Sequence, residues 1–320
     1  MKKFILKLAL FWTLFLLVLS CVFYITYVWM LKSPYLTLIN HSHEINVKVS
    51  LSRLEHKTEP SIIIIGGSGC GFGLISGMLS EHFNMPVINT GTHAGLGLRL
   101  QLLLVQPYIK KGDIVIVIPE YMQFTDLFYG DETAWRIMMA TLPNKMGEIS
   151  LQQYFHLLRY YPTALENAVS YYRGHKNDHS TIEINSISPY SASSLNEYGD
   201  VTCYQHRQHK CFIPVSKKNL QVKKYVIKSL KEYKDYCRNN DAMFILFPPA
   251  YHEKDFALNK DAILHISQSL AQNGIPYVAS PQKYVMFDSL FYDTVYHLTY
   301  EGCSIRTNNI IADLDSIINQ

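Results

Sequence analysis

Four short segments of the chain gather residues capable of making and breaking bonds. The first is Gly66-Gly67-Ser68-Gly69-Cys70-Gly71-Phe72-Gly73-Leu74, one serine among five glycines. Glycines there permit positive φ and let backbone N–H groups converge on a small anionic centre, and a following helix adds the partial positive charge of its N-terminus. The second, Asn89-Thr90-Gly91-Thr92-His93-Ala94-Gly95-Leu96-Gly97, is another glycine-rich turn entering a helix. A second set of exposed N–H groups beside the first is what an oxyanion hole requires, with Gly95 or Gly91 as donors. The third is Pro119-Glu120-Tyr121, polar residues at the exit of an apolar run, where Glu120 and Tyr121 can bind substrate or Glu120 can cap the next turn. The fourth is Asp293-Thr294-Val295-Tyr296-His297-Leu298. A carboxylate a few residues before an imidazole can hold the tautomer that abstracts a proton, although such a pair at a helix start also serves as a cap.

Phosphate chemistry on the glycine turns is disfavoured. A P-loop ends in Gly-Lys-Ser/Thr, and the first turn contains no lysine; Gly67-Ser68-Gly69-Cys70-Gly71 also misplaces the last glycine of a dinucleotide fingerprint. No cofactor and no metal is expected. A tight strand–helix turn without chemistry is the competing reading of the Ser68 segment.

The elements that must position these residues follow from hydrophobic pattern. Ser61 to Ile65 holds four consecutive isoleucines, a strand buried on both faces. Further strands are expected at Pro86 to Ile88, Asp113 to Ile118, Met243 to Phe247 and Pro276 to Ala279. Helices are expected at Leu74 to Phe83, Leu96 to Ile109, Val222 to Cys237, Ala257 to Gln272 and Leu298 to Ile318. This alternation implies a five-stranded parallel, doubly wound, flavodoxin-like α/β sheet whose site lies beyond the carboxyl ends of the strands. Every chemical segment falls at such an end. Between strands three and four lies an insertion, about 130–218, helical and aromatic over 133–175 and polar over 176–218.

The N-terminus is an anchor by composition. Leu8 to Leu31 is an uncharged run of about 24 residues, long enough for a ~30 Å hydrocarbon core. Lys2, Lys3 and Lys7 before it keep the N-terminus in the cytoplasm and send the rest across. Ser20-Cys21 resembles a lipoprotein cleavage site, but the apolar run continues about ten residues beyond it, through Tyr24, Tyr27 and Trp29, so a retained span is expected. The organisation is then an anchor over 1–32, a stalk over 33–60 carrying one short strand, and an α/β domain over 61–320. The net charge of +3 and the lack of a basic stretch interleaved with aromatics argue against a nucleic-acid partner. The 23 tyrosines serve packing or offer platforms for sugar rings. Cys203 and Cys211 are a disulfide candidate for an oxidising compartment, with a plain loop, or a metal site using His206 and His209, as alternatives.

Together these segments resemble the SGNH (GDSL-like) hydrolases: serine in a glycine turn after strand one, glycines after strand two, and Asp…His-Leu before the last helix. The resemblance covers about 61–126 and 242–318. It implies Ser68 as nucleophile, His297 as general base, Asp293 as its orienting carboxylate, and N–H groups of Ser68 and Gly95 (or Gly91) as oxyanion donors. Gly67 stands where the family has Asp, Pro119-Glu120-Tyr121 replaces its Gly-x-Asn-Asp, and Asp293 is one residue further from the histidine than usual, leaving Asp288 as a rival. Membrane-anchored relatives look like the O-acetyl and D-alanyl transfer proteins of envelope polysaccharide assembly. The resemblance therefore implies an esterase or O-acyltransferase at the bacterial inner membrane, facing the periplasm. Its partners would be an envelope glycan or acyl-ester substrate and a membrane acyl-donor protein. The alternative is a degenerate, non-catalytic domain that binds glycan or scaffolds an assembly complex.

Overall fold

A computed structural model describes residues 2–31, 46–140, 142, 145, 147–174, 192–202, 213 and 215–318. The chain opens with α1 (Lys2–Leu31), a helix long and apolar enough to cross a membrane. A second helix, α2 (46–55), follows. It replaces the short strand expected in the stalk, and it is not a spacer: Val47 and Leu54 are buried. Lys57, also buried, pairs with Asp113 at the start of the third strand, so the chain joins the domain before residue 60.

The central sheet has four parallel strands in the order β2-β1-β3-β4: β1 (Ile62–Gly66), β2 (Val87–Asn89), β3 (Ile114–Ile118) and β4 (Met243–Leu246). Strand periodicity sends alternate side chains to opposite faces. Ile63, Ile65, Val115 and Val117 pack in one core with α5 (Leu98–Val105), α9 (Lys224–Asn239) and α10 (Glu253–Gln272). Ile62, Ile64, Ile114 and Ile116 pack in another with α4 (Ser76–Phe83) and α11 (Tyr300–Ile318). The unbroken isoleucine run is explained by this two-sided burial. A one-turn helix, α3 (Ser68–Gly71), separates β1 from α4.

The expected fifth strand does not form. Residues 276–279 run beside β4 with one backbone bond between them, Val278 N–H to Leu246 O at 2.9 Å. Pro276 has no N–H to extend a ladder. A separate two-residue parallel pair, β5 (Tyr251–His252) with β6 (Val285–Met286), flanks α10.

The insertion supplies α6 (Glu132–Ala140), α7 (Leu151–Leu158) and α8 (Tyr161–Gly174), as its aromatic helical pattern predicts. They form a satellite core around Trp135 that includes Met30 of α1. Most of the polar part lies outside the described residues, including Cys203, Cys211, His206 and His209. Its last residues are tied down, with Ser216 N–H and Lys218 Nζ both on the Asp255 carboxylate.

Candidate active site

In the strand order 2-1-3-4, the chain leaves β1 toward one edge and returns to β3 on the other side, which makes the β1/β3 exit the switch point of the sheet. Ser68 and Glu120 occupy that point. Ser68 is the first residue of α3, with Gly67 as its N-cap, and is buried. Its hydroxyl donates to Glu120 Oε1 at 3.3 Å, and the Gly69 N–H donates to the same oxygen at 3.0 Å. Glu120 also caps the turn Tyr121–Phe124 in a reciprocal pair with Gln123. The capping role expected of Glu120 is present, and the same carboxylate faces Ser68. Gln123 extends the link to the second glycine turn through Gln101 Oε1 and the Ala94 carbonyl.

The glycines of the first turn serve close approach. None of Gly66, Gly67, Gly69, Gly71 and Gly73 has positive φ. A Cβ at Gly71 would lie 2.6 Å from the Gly91 carbonyl oxygen, and one at Gly66 would lie 2.6 Å from that of Ile118. The two turns touch backbone to backbone, which only glycine allows. The expectation that positive φ explains this composition is corrected accordingly.

Two N–H groups expected to be open as oxyanion donors are already taken. The Gly91 N–H is taken by Asn89 Oδ1 at 2.9 Å, and the Gly95 N–H by His93 Nδ1 at 3.1 Å. Both are side-chain turns closing two residues on. The N–H that faces the Ser68 hydroxyl's partner is that of Gly69, at the start of α3, where a helix leaves its first donors without intrahelical acceptors. Asn89 in turn donates to the Cys70 carbonyl and to Asp200, whose carboxylate also receives the Ser76 hydroxyl and N–H.

His297 and Asp293 come together as the sequence implies, with Nδ1 and Oδ1 2.8 Å apart. The rival, Asp288, is committed elsewhere, to His252 Nε2 and Lys254. The Phe72 ring stacks on the His297 ring with centroids 4.2 Å apart and planes 12° from parallel. Phe72 lies four residues after Ser68, and its carbonyl accepts from the Leu298 N–H. The imidazole is therefore fastened to the same turn that carries the serine. Among the described residues no hydrogen bond joins Ser68 to His297; the Ser68 hydroxyl faces Glu120.

Tyr121 is not at the surface. It is fully buried against Tyr251, and burial pushes its phenol well above the ordinary value. What reaches the site is its backbone: the Tyr121 N–H donates to Tyr296 OH at 3.2 Å. Tyr121 thus meets the His297 loop through its backbone, with its side chain closed off from solvent.

Three residues at the site carry no role in the sequence pattern. Phe72 is one. His93 is the second: burial pushes its pKa down, Asp131 and Glu120 pull it up, and His297 and Arg136 push it down further, which places two imidazoles in each other's field. Arg306 is the third, fully buried, with Nη1 donating to the Gly69 and Gly73 carbonyls. Its signal was an arginine on the buried Cys303–Thr307–Ile310 side of α11. Cys70, two residues after Ser68, is buried, and burial pushes its thiol up to about 12 against the opposing charge of Arg306.

Comparison with protein-family models, curated proteins and solved structures finds no match. The site must be read from its own geometry. An imidazole bonded to a carboxylate and stacked on a ring four residues after a buried serine brings together the residue types that nucleophilic acyl transfer uses.

Proposed function

We propose that this chain is an SGNH-type serine esterase or O-acyltransferase acting on envelope glycans. In this reading α1 anchors it in the bacterial inner membrane with its N-terminus in the cytoplasm, and the α/β domain works in the periplasm. The observation that carries the proposal is the Asp293–His297 pair stacked on Phe72 and thereby tied to Ser68. The strand order β2-β1-β3-β4, with residues 276–279 alongside β4 in the fifth place, fits a flavodoxin-like SGNH sheet.

Asp293 accepts the Nδ1 proton, so Nε2 keeps its lone pair. Ser68 Oγ turns from Glu120 to His297, gives its proton to Nε2, and attacks the ester carbonyl. The oxyanion takes donors at the start of α3, from Ser68 and, once Glu120 lets go, Gly69. The leaving alkoxide recovers the proton from His297. An acceptor hydroxyl or water then releases the acyl group by the same steps in reverse.

The second reading, a non-catalytic glycan-binding or scaffolding domain, is favoured by one observation. Glu120 Oε1 engages both the Ser68 hydroxyl and the Gly69 N–H. A carboxylate there opposes the developing negative charge of the tetrahedral intermediate.

Full-length protein in detergent, treated with a fluorophosphonate probe, tests the choice. Labelling at Ser68 is expected, lost in Ser68→Ala and slowed ~10²-fold or more in His297→Ala, in line with the loss of a general base. Glu120→Gln keeps an acceptor but removes the charge, and is expected to label faster. Labelling that persists in Ser68→Ala overturns the mechanism. Absence of labelling in both the wild type and Glu120→Gln selects the non-catalytic reading.

A further inference from the structure

The segment that places Glu120 against Ser68 continues into a second site that the acyl-transfer reading does not use. The turn Asp126–Tyr129 and helix α7 line an open pocket of about 470 Å³, together with Tyr225 of α9. Its lining has two parts. Tyr129 and Tyr225 stack with centroids 4.8 Å apart, and the Phe155 ring beside them is 63% exposed. Around these rings stand Asp126, Arg159 and Gln152, all exposed.

The polar groups are held in place. His156 Nε2 lies 2.8 Å from the Gly130 carbonyl, which can only accept, so Nε2 bears the proton and Nδ1 accepts from Arg159 Nη2. Burial lowers the proton affinity of His156 against the pull of the Gly130 carbonyl, and Arg159 lowers it further. A neutral histidine thus aims a guanidinium that has no ion-pair partner among the described residues. Asp126, on the opposite side, accepts from Tyr225 OH at 3.2 Å and lies 3.7 Å from Lys223 Nζ.

We infer that this pocket binds an acidic sugar unit of a polysaccharide. The rings offer an apolar face to the sugar, Arg159 a planar fork for its carboxylate, and Asp126 and Gln152 partners for its hydroxyls. The inference rests on the proposed function only in taking glycan as the ligand class. The geometry links the two sites: Asp126 follows Glu120 by six positions, a reach of at most ~22 Å. Asp131, just past the pocket, bonds the Gly95 carbonyl of the second glycine turn. An oligosaccharide seated here would extend toward Ser68.

Isothermal titration of the full-length protein in detergent with tetragalacturonate, a hyaluronan tetramer, maltotetraose and inorganic phosphate tests the inference. At least one uronate oligomer should bind, maltotetraose about tenfold or more weakly, and phosphate should not compete. Arg159→Ala and Phe155→Ala, both at exposed positions, should each weaken binding about tenfold with melting temperature unchanged. Ser68→Ala should bind as the wild type does, so loss of probe labelling and loss of glycan binding remain separate outcomes. No binding of either uronate oligomer, equal binding of the neutral one, competition by phosphate, or unchanged affinity in both variants overturns it.

Discussion

His93 stands between charges of both signs, facing Asp131, Glu120, His297 and Arg136, and burial is the largest influence on it. A histidine held below its ordinary value stays neutral in the folded chain at a pH where the unfolded chain has already taken up a proton. Its contribution to stability is therefore intact above about pH 6.5, and is lost progressively as pH falls through that value toward the lower folded one. His93→Asn keeps an acceptor for the Gly95 N–H but cannot titrate. Urea unfolding at about pH 7.5 and about pH 5 should show a smaller acid loss in the variant than in the wild type. Equal losses would mean that His93 is not held neutral. At this scale the sequence was informative about which residues gather at the candidate site. Ser68, Glu120, Asp293 and His297 each lie at a strand or loop exit, where position alone singles them out. The Gly91 and Gly95 N–H groups were misread as open because an N–H is available only if no nearby side chain claims it. That signal was local: Asn89 two residues before Gly91, and His93 two before Gly95, are turn-closing spacings. Phe72 and Arg306 act through residues far along the chain, and no local pattern announces such pairings.

The first glycine turn works as an element because it packs on the second. Gly71→Ala places a methyl against the Gly91 carbonyl at 2.6 Å, and backbone on that side cannot swing away as a flexible side chain would. Overpacking of this kind costs about 1–3 kcal/mol. The variant should lose that much in urea unfolding, and probe labelling of Ser68 should fall with it, since the turn that tilts carries the serine. Unchanged stability would show that the turns can separate freely. Strands β1 and β3 were legible because burial on both faces leaves an unbroken β-branched run. Residues 276–279 have similar composition, with Tyr277 in the core and Val278 half-buried, yet form one bond to β4. Composition reports burial, whereas a strand also needs a ladder. The helix 46–55 was missed for the opposite reason: Val47, Leu51 and Leu54 follow helical spacing, but polar neighbours hide so short a stripe.

For the whole molecule, the consequential contact is between α1 and the insertion. The last turns of α1 pack on the domain. Phe23 packs against Tyr161 with centroids 4.5 Å apart, Tyr161 OH donates to the Phe23 carbonyl, and Trp29 meets Tyr172 edge-on. Met30 is fully buried in the satellite core with Trp135. Burying one such side chain contributes about 1.5–3 kcal/mol, so these contacts hold α8 in place to a degree a free tether could not. That core shares few residues with the two that sandwich the sheet, so its loss should remain local. A fragment of residues 46–320 should therefore keep the sheet and the Ser68 site but loosen α8. Hydrogen exchange followed by mass spectrometry should show faster exchange in peptides of Tyr161–Gly174 than in the full-length protein in detergent. Peptides of α11, which packs on the far face of the sheet, should exchange at the same rate in both. Unchanged exchange in α8 would mean that α1 does not support it; faster exchange everywhere would make α1 part of the main fold.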